Sequence, residues 1–319
     1  MRWIQGHGAG LISLRSVVRF HPATIKIMQN LNQITAVIVL YNTTDIIFKC
    51  LENLRNINII IVDNGRNNQN LIKKIKSNKN IIKYFRFKKN IGFGRACNFA
   101  FKYSKTKYTL LVEPDVLIKE IDILNLVEGF KNYPEAGVLV PTLVDKDSAI
   151  IDKLENLPEL NSKEANLVKS KFNNYLPKNI INGDVCVNFC WAAVLLLNNE
   201  IIKKIGLFNK KIFIFWEDFY FCRKLRTLKI PIIKIYNSKA IHIEGFSTKK
   251  NLLSNFIINK HHILSSYIYF KVNKNEFYLT KKIFLYLFRF MTYLFILNLN
   301  KSLKNLARFC ATYKYKYLK

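Results

Sequence analysis

The chain has few glycines and prolines, 11 and 7 among 319 residues, which excludes a collagen-like protein or one made mostly of linkers. General disorder is excluded too, because half of the residues are hydrophobic and 13% are aromatic. Acids are also scarce: 21 stand against 51 lysines and arginines, a net charge of +30. Such a charge favours polyanionic partners, namely nucleic acid, phosphate-bearing ligands or an anionic membrane surface. An AT-rich genome that favours lysine codons would explain the same excess without a function.

The six cysteines follow neither the spacing of a zinc site nor that of a disulfide framework. We therefore expect buried thiols in a reducing compartment. The N-terminal stretch lacks an apolar core followed by a small-residue cleavage site, so no signal peptide of the usual form is predicted. Its composition differs from the rest of the chain, and we expect residues 1–32 to be a disordered leader or a misassigned start.

From residue 33 onward, short and mostly apolar runs alternate with helical patterns. Ile34–Leu40, Asn58–Val62 and Tyr108–Val112 are such runs. The alternation predicts an α/β fold with right-handed βαβ crossovers, in which a mostly parallel, Rossmann-like sheet is flanked by helices. We expect this domain to span residues 33–250 and a basic, aromatic-rich helical region to span residues 251–319.

Polar clusters directly follow three of the predicted strands. They are Tyr41-Asn42, Asp63-Asn64-Gly65 and Glu113-Pro114-Asp115. Ligands bind outside the carboxyl ends of the strands in open parallel sheets, so all three clusters are expected at one rim. A buried strand needs no acid at its end, which makes this placement the first indication of function. Residues 141–190 show no clear periodicity and are interpreted as an insert that faces the substrate.

Two carboxylates lie close together in the third of these clusters. Glu113 and Asp115, one residue apart on an extended segment, can point to the same side and bind a hard cation through oxygen. His242, which follows a later predicted strand, is a further candidate ligand. A solvated Glu-Pro-Asp turn and a packed histidine are the ordinary alternatives.

Two further segments contain residues that are suited to ligand binding or catalysis. Gly92-Phe93-Gly94-Arg95 is typical of part of a phosphate-binding loop, with Arg95 in the first turn of a predicted helix, where anions bind. Glu217 and Asp218 follow an aromatic run that ends at Trp216. A carboxylate beside Trp216 can acquire a raised pKa suited to a general base, although helix N-termini favour acids in any case.

Five segments, in this order and spacing, resemble glycosyltransferase family 2, and within it the rhamnosyltransferase-like branch most closely. They are Val39–Asn42, Val62–Gly65, Asn90–Asn98, Glu113–Val116 and Phe215–Asp218. The resemblance covers about residues 34–247. It implies a GT-A fold and an inverting, metal-dependent transfer of a sugar from a nucleotide-diphosphate donor. Glu113 departs from the asparagine or aspartate that is usual in relatives.

The resemblance also implies roles for single residues. Asp218 matches the acid that is proposed as the catalytic base. Asp115 matches the last acid of the metal-binding motif. His242 matches a histidine that can complete the metal site with Glu113 and Asp115. Asp63 matches the acid that reads the base of the donor, and Arg95 lies in the segment that approaches the diphosphate. The residues expected at the donor are Tyr41, Asn42, Asp63, Asn64, Gly92, Arg95, Trp216 and Glu217. The implied cofactor is Mn²⁺ or Mg²⁺.

Near the C-terminus, Ile283–Leu299 is an apolar run that contains a single charge, Arg289. It is too short and too charged to span a bilayer. Lysines on both sides favour an amphipathic helix on an anionic cytoplasmic leaflet, with contact through residues 281–308. A helix packed on the catalytic domain or on a second subunit is the alternative.

Together these observations predict a cytoplasmic glycosyltransferase, peripheral on the inner face of the cytoplasmic membrane, that acts in cell-surface polysaccharide synthesis. Its donor is expected to be a dTDP- or UDP-sugar, with dTDP-rhamnose first by resemblance, and its acceptor a saccharide or a lipid-linked molecule. No nucleic acid is expected as a partner. Two alternatives stay open: a basic nucleic-acid-binding protein and a catalytically silent relative that binds nucleotide sugars.

Overall fold

A computed structural model of the chain describes residues 30–65, 67–151, 183–243, 251–272 and 275–318. Residues 1–29, most of the predicted leader, lie outside this part of the chain. So do residues 152–182, which belong to the segment without periodicity.

One mixed sheet of nine strands forms the centre of the described structure, in the order β3-β2-β1-β4-β8-β6-β9-β5, with β7 paired to β9. Its strands are β1 Ile34–Leu40, β2 Asn58–Asp63, β3 Ile81–Arg86, β4 Tyr108–Val112, β5 Val116–Ile118, β6 Val138–Val144, β7 Val185–Cys186, β8 Val194–Asn198 and β9 Ile232–His242. Strands β1 to β4 are parallel, as the alternating pattern predicts. Beyond β4 the sheet is mixed, because β8 runs antiparallel to β4 and to β6.

Helices cover the sheet, and three more follow it. They are α1 Ile46–Asn53, α2 Gln69–Lys76, α3 Phe93–Phe101, α4 Glu120–Asn132, α5 Asn199–Ile205, α6 Glu217–Thr227, α7 Leu252–Tyr269, α8 Glu276–Phe295 and α9 Leu299–Lys316. The apolar run that the sequence suggested as one C-terminal helix therefore divides. Its first part belongs to α8, and a turn at Leu297, whose φ is 55°, leads into α9.

Strand β1 shows why the strands are apolar throughout. Its seven residues are all buried, and successive side chains point to opposite faces of the sheet. Ile34, Ala36, Ile38 and Leu40 enter one hydrophobic core, whereas Val37 and Val39 enter the other. With helices packed on both faces, an alternation of apolar and polar residues would bury polar groups, so the run must be continuous.

The pairing of β4 with β8 forms the rim on which the site is built. Val112, the last residue of β4, pairs with Val194, the first of β8. One residue further, the Glu113 amide donates to the Ala193 carbonyl at 2.9 Å. In the sheet, β1 and β2 lie on one side of β4 and β8 lies on the other. The rim therefore joins the ends of β1, β2 and β4 to the segment that precedes β8.

Candidate active site

A cavity of about 850 Å³ opens at this rim. The residues that follow β1, β2 and β4 contribute Tyr41, Asn64, Glu113 and Asp115 to its wall. The expectation that three polar clusters share one rim is met, since each of them supplies at least one lining residue. Most of the remaining wall comes from the N-terminus of α6, the end of β9, the segment before β8 and helix α7.

Glu113, Asp115 and His242 form a cluster in which one ligand atom of each lies within 4.8 Å of the others. His242 Nε2 lies 3.6 Å from Glu113 Oε2 and 3.8 Å from Asp115 Oδ1. Strand pairing explains how a histidine so distant in sequence arrives here. Residues 113–115 connect β4 directly to β5, and β5 pairs with β9 so that Val116 lies opposite His242.

The three side chains suit a divalent cation. Burial and, to a lesser extent, the neighbouring Asp115 and Asp218 carboxylates together raise the pKa of the Glu113 carboxyl to about 8. Removal from water and like charge both penalise these acids, and a cation between them would offset both effects. Two carboxylates with one imidazole nitrogen are ligands that Mn²⁺ accepts, whereas Mg²⁺ prefers oxygen alone.

Two acids begin helix α6 at the same cavity. The chain enters this helix through Phe215 and Trp216, both left-handed with φ of 64° and 67°. Non-glycine residues in this conformation cost of order 1–3 kcal/mol each and persist only where the surroundings hold them. Here they turn the backbone so that Glu217 and Asp218 line the cavity.

The two acids differ in their surroundings. Burial and, to a lesser extent, the adjacent Asp218 carboxylate together raise the pKa of the Glu217 carboxyl to about 8. Its Oε2 atom is buried without a hydrogen-bond partner among the described residues. Asp218 Oδ1 instead accepts from the Phe219 amide at 2.8 Å, in the first turn of α6. Burial thus favours the protonated form of Glu217, whereas Asp218 lies in a first turn where the helix N-terminus favours negative charge.

Helix α7 holds the strained turn in place. The Ser265 hydroxyl donates to the Ile214 carbonyl at 2.9 Å. The Trp216 ring packs against Tyr269 and Phe270, with ring centroids 5.2 and 5.3 Å away. The C-terminal helices are thus part of the structure that fixes the two acids of α6.

On the β1–β2 side of the cavity, amide side chains accompany Tyr41. Asn64 Nδ2 donates to Asn90 Oδ1 at 2.9 Å, and Asn64 Oδ1 accepts from the Ile91 amide at 2.8 Å. Both asparagines line the cavity. Asn90 was not among the predicted site residues, although it begins the segment that carries the glycines.

Asp63 is fully buried and does not line the cavity. Its Oδ1 accepts from Asn67 Nδ2 at 2.5 Å and from the Gly65 amide at 3.3 Å. Its Oδ2 accepts from the Tyr84 hydroxyl at 2.9 Å and lies 3.4 Å from Arg86 Nε. These four groups use the acceptor capacity of the carboxylate, so in this conformation Asp63 joins β2 to β3 and to the following loop.

Three other residues predicted at the donor also lie away from the cavity lining. Arg95 is exposed, and its Nε donates to the Lys210 carbonyl at 2.7 Å. Gly92, with φ of 91°, is required by packing, because a Cβ there would collide with the Phe213 carbonyl. Asn42 is an exposed residue with φ of 49°. Contact of these three and of Asp63 with a donor stays a prediction.

Aromatic side chains line the β8 side of the cavity, and they were not predicted from the sequence. Phe189 and Trp191 come from the segment before β8, and Phe189 stacks on Phe219 of α6 with ring centroids 4.2 Å apart. His262 of α7 completes this wall, 5.5 Å from the Trp216 ring. These side chains precede an antiparallel strand or lie on a distant helix, so periodicity gives no signal for them.

Fold and site together define an α/β protein whose cavity at the strand ends contains a cluster of two acids and one histidine that could hold a metal ion. A profile described as "Glycosyl transferase family 2" matches residues 35–198, about half of the chain. The chain therefore belongs to glycosyl transferase family 2. This confirms the family predicted from the five segments, whereas the match does not reach the rhamnosyltransferase-like branch.

A solved structure shows the same fold. The structure titled "Crystal structure of GalNAc-T7 with UDP, GalNAc and Mn2+" is 15% identical, with a TM-score of 0.52 over 74% of this chain and 48% of that chain. TarS of S. aureus gives a TM-score of 0.48 at 13% identity, covering 73% of this chain and 43% of that one. This chain thus spans about half the length of GalNAc-T7. The predicted GT-A fold is confirmed; comparison with curated proteins finds no match.

Proposed function

We propose that this protein transfers a sugar from a nucleotide-diphosphate donor to an acceptor hydroxyl, with inversion at the anomeric carbon. One observation carries the proposal. The cluster of Glu113, Asp115 and His242 shares a single cavity with Asp218, at the strand ends of a family 2 domain. A cation site and a proton acceptor that face the same space are what this reaction requires.

Glu113, Asp115 and His242 would hold the divalent cation, with Mn²⁺ favoured over Mg²⁺ by the imidazole ligand. When bound, the cation neutralises the negative charge that develops on the diphosphate as it leaves. The GalNAc-T7 structure, whose title includes UDP and Mn²⁺, supports the same pairing of cation and nucleotide here.

Asp218 is the proposed base. Its carboxylate would accept the proton of the acceptor hydroxyl as the oxygen attacks the anomeric carbon from the side opposite the diphosphate. In-line attack inverts the centre and needs no covalent intermediate. Glu217, which its surroundings keep protonated, would donate a hydrogen bond to the donor sugar from the adjacent position.

Tyr41 and Asn64, on the β1–β2 side, would contact the nucleoside, and the aromatic wall before β8 would face the acceptor. This assignment follows the sheet order, because the cation cluster at the end of β4 lies between the two walls. The donor is proposed to be a dTDP- or UDP-sugar. By the motif resemblance, dTDP-rhamnose is the first candidate.

The proposed acceptor is a saccharide or a lipid-linked molecule in cell-surface polysaccharide synthesis, such as O-antigen or capsule. A lipid-linked acceptor would require the enzyme to work on the inner face of the cytoplasmic membrane. The basic residues of 281–308 support this placement. Among the described residues, no helix is long and apolar enough to cross a bilayer.

The test is thermal unfolding with a panel of nucleotides and nucleotide sugars, with and without Mn²⁺. A ligand that binds only the folded state stabilises it by about 2.7 kcal/mol at one hundred times its Kd. We expect dTDP or UDP to raise the Tm only when Mn²⁺ is present. Asp115→Asn should abolish this shift, and Asp147→Asn, at an exposed position away from the cavity, should retain it.

Two outcomes would contradict the proposal. A nucleotide shift that is equal with and without Mn²⁺ removes the cation cluster from donor binding. No shift with any nucleotide, together with a salt-sensitive shift with DNA, would favour the nucleic-acid-binding alternative.

A further inference from the structure

The outer side of α8 presents large apolar side chains to solvent. Phe284, Phe288, Met291 and Phe295 recur every three or four residues and therefore lie on one side of the helix, here named the α8 face. Phe288 is 70% and Phe295 90% exposed. The opposite side of α8 packs on α9, where the Ser302 hydroxyl donates to the Phe290 carbonyl at 3.2 Å.

The turn between α8 and α9 extends this apolar surface. Ile296, Leu297 and Leu299, here named the hairpin tip, are all exposed, and Leu297 is 84% exposed. The left-handed backbone of Leu297 reverses the chain direction, and the Asn298 amide closes the turn on the Tyr293 carbonyl at 2.9 Å. Monomeric soluble proteins seldom leave such a continuous aromatic and aliphatic surface uncovered.

Cations border the same surface. Lys281 precedes Phe284 by one helical turn, Arg289 adjoins Phe288, and Lys301 follows the hairpin tip; all three are exposed. Across residues 251–319 the sequence has twelve lysines and arginines against one acid, Glu276. An apolar strip with basic residues at its margins is the pattern of helices that lie in the plane of a membrane interface.

We propose that the α8 face and the hairpin tip insert into the headgroup region of an anionic bilayer, with Lys281, Arg289 and Lys301 contacting lipid phosphates. The inference rests on the membrane placement within the proposed function, and it is independent of the transfer reaction. Charge selects the bilayer over a second copy of the chain, since two copies would bring two basic surfaces together. An anionic surface instead attracts each basic residue near it, by about five-fold in partition.

The depth of contact follows from the length and exposure of α8. The helix has 20 residues with three cations, so it fits an interface plane better than the bilayer interior. Because α7 packs on the turn that carries Glu217 and Asp218, a helical unit bound to the membrane would hold the catalytic cavity beside lipid. This places a lipid-linked acceptor within reach of the proposed base.

The experiment is co-sedimentation of the full chain with vesicles of phosphatidylcholine alone and of phosphatidylcholine with phosphatidylglycerol. Binding to the anionic vesicles is expected to be strong at low salt and to weaken as salt rises. Phe288→Asp combined with Phe295→Asp should lower the partition at least ten-fold. The matched control places aspartate at two exposed isoleucines of the catalytic domain, Ile82→Asp with Ile121→Asp, and should bind as the unaltered chain does.

A second double variant tests the charged margin. Lys281→Glu with Arg289→Glu should reduce binding to anionic vesicles by about twenty-fold or more, and leave the weak binding to neutral vesicles unchanged. Each variant is first checked for an unaltered Tm and for the Mn²⁺-dependent nucleotide shift, so that loss of donor binding is told apart from loss of membrane binding.

Three results would overturn the inference. The first is equal sedimentation with neutral and anionic vesicles. The second is binding that survives both double variants. The third is an unaltered chain that does not bind vesicles and that light scattering shows to be a dimer, whereas the double variant Phe288→Asp with Phe295→Asp is a monomer. This result would assign the surface to a second copy of the chain.

Discussion

Asp218 and Glu217 carry the same carboxyl group, but the surroundings of the two groups differ. Both carboxylates lie in the first turn of α6, where the helix N-terminus favours negative charge. Burial raises the pKa of the Glu217 carboxyl, whereas Asp218 Oδ1 accepts a hydrogen bond from the Phe219 amide. Under the proposed function, Glu217 donates a hydrogen bond and Asp218 accepts a proton.

Asp218→Asn is expected to reduce sugar transfer on the order of 100-fold to 10,000-fold, because an amide cannot accept the acceptor's proton. Donor binding should stay largely intact, since the cation cluster and Asn64 are untouched. The rate of transfer and the Mn²⁺-dependent nucleotide shift in Tm measure these two effects separately. Asp147→Asn provides the control. Comparable turnover in Asp218→Asn would remove this residue from the base role.

Among the structural elements, α7 supports the site from outside the matched family region. Tyr269 in its last turn and Phe270, the next residue, pack around Trp216. Two left-handed residues precede α6, and this packing holds them in place. A defect at Tyr269 should therefore reach the acids of α6, although Tyr269 itself does not line the cavity.

Tyr269→Ala tests this coupling. Tyr269 is fully buried, and its removal leaves a cavity against Trp216, for which we expect a loss of about 3–5 kcal/mol in the free energy of unfolding. Transfer should fall as well, even at temperatures where the variant is folded, because the turn before α6 loses its support. Urea unfolding and the transfer rate measure both. Tyr313→Ala, at an exposed position of α9, should change stability by less than about 0.5 kcal/mol.

His261 makes the packing of α7 sensitive to acid. Burial and, to a lesser extent, Lys260 and Lys314 together lower the pKa of this imidazole to about 4. Its ring lies 4.4 Å from the Phe213 ring, and its Nδ1 is buried without a hydrogen-bond partner among the described residues. Between pH 6.5 and pH 4 the unfolded chain binds a proton at His261 that the folded chain does not bind, so stability falls as the pH falls through this window.

His261→Phe removes that proton. The variant should lose less stability than the unaltered chain between pH 6.5 and pH 4. The slope of its unfolding free energy against pH should be smaller by up to ~1.4 kcal/mol per pH unit, which corresponds to one bound proton. Urea unfolding at several pH values gives the two slopes. Parallel slopes for the unaltered chain and the variant would mean that His261 is protonated in the folded state as readily as in the unfolded state.

For the whole molecule, the excess of positive charge opposes the compact state. The net charge is +30, and folding brings these charges closer together than they are in the unfolded chain. Salt shortens the Debye length from about 30 Å at 0.01 M to about 8 Å at physiological ionic strength. Repulsion between charges on different elements is therefore large only at low salt.

We expect the urea midpoint to rise when NaCl is added over this range. KCl at equal concentration should have the same effect, because screening depends on ionic strength and not on the cation. An unchanged or lower midpoint would show that local ion pairs, which salt weakens, outweigh the general repulsion.

The sequence by itself determined the strand-forming runs, their order and the rim at which polar residues gather. Ile34–Leu40 and Tyr108–Val112 appear with the predicted bounds, because a strand that is buried on both faces requires a nearly continuous apolar run. The carboxyl-end rule then places Tyr41, Asn64 and Asp115 together, since it depends on strand direction alone.

Only the tertiary structure decided which polar residues reach the cavity. Asp63 and Arg95, like Asp115, were predicted at the site from the motifs in which they occur. Asp63, however, is enclosed by Tyr84, Arg86 and Asn67. Arg95 donates to the Lys210 carbonyl. These partners come from other elements, so no local pattern reveals them. The different surroundings of Glu217 and Asp218, and the exposure of one side of α8, likewise depend on which surfaces the rest of the chain covers. Packing decides this, and sequence spacing does not.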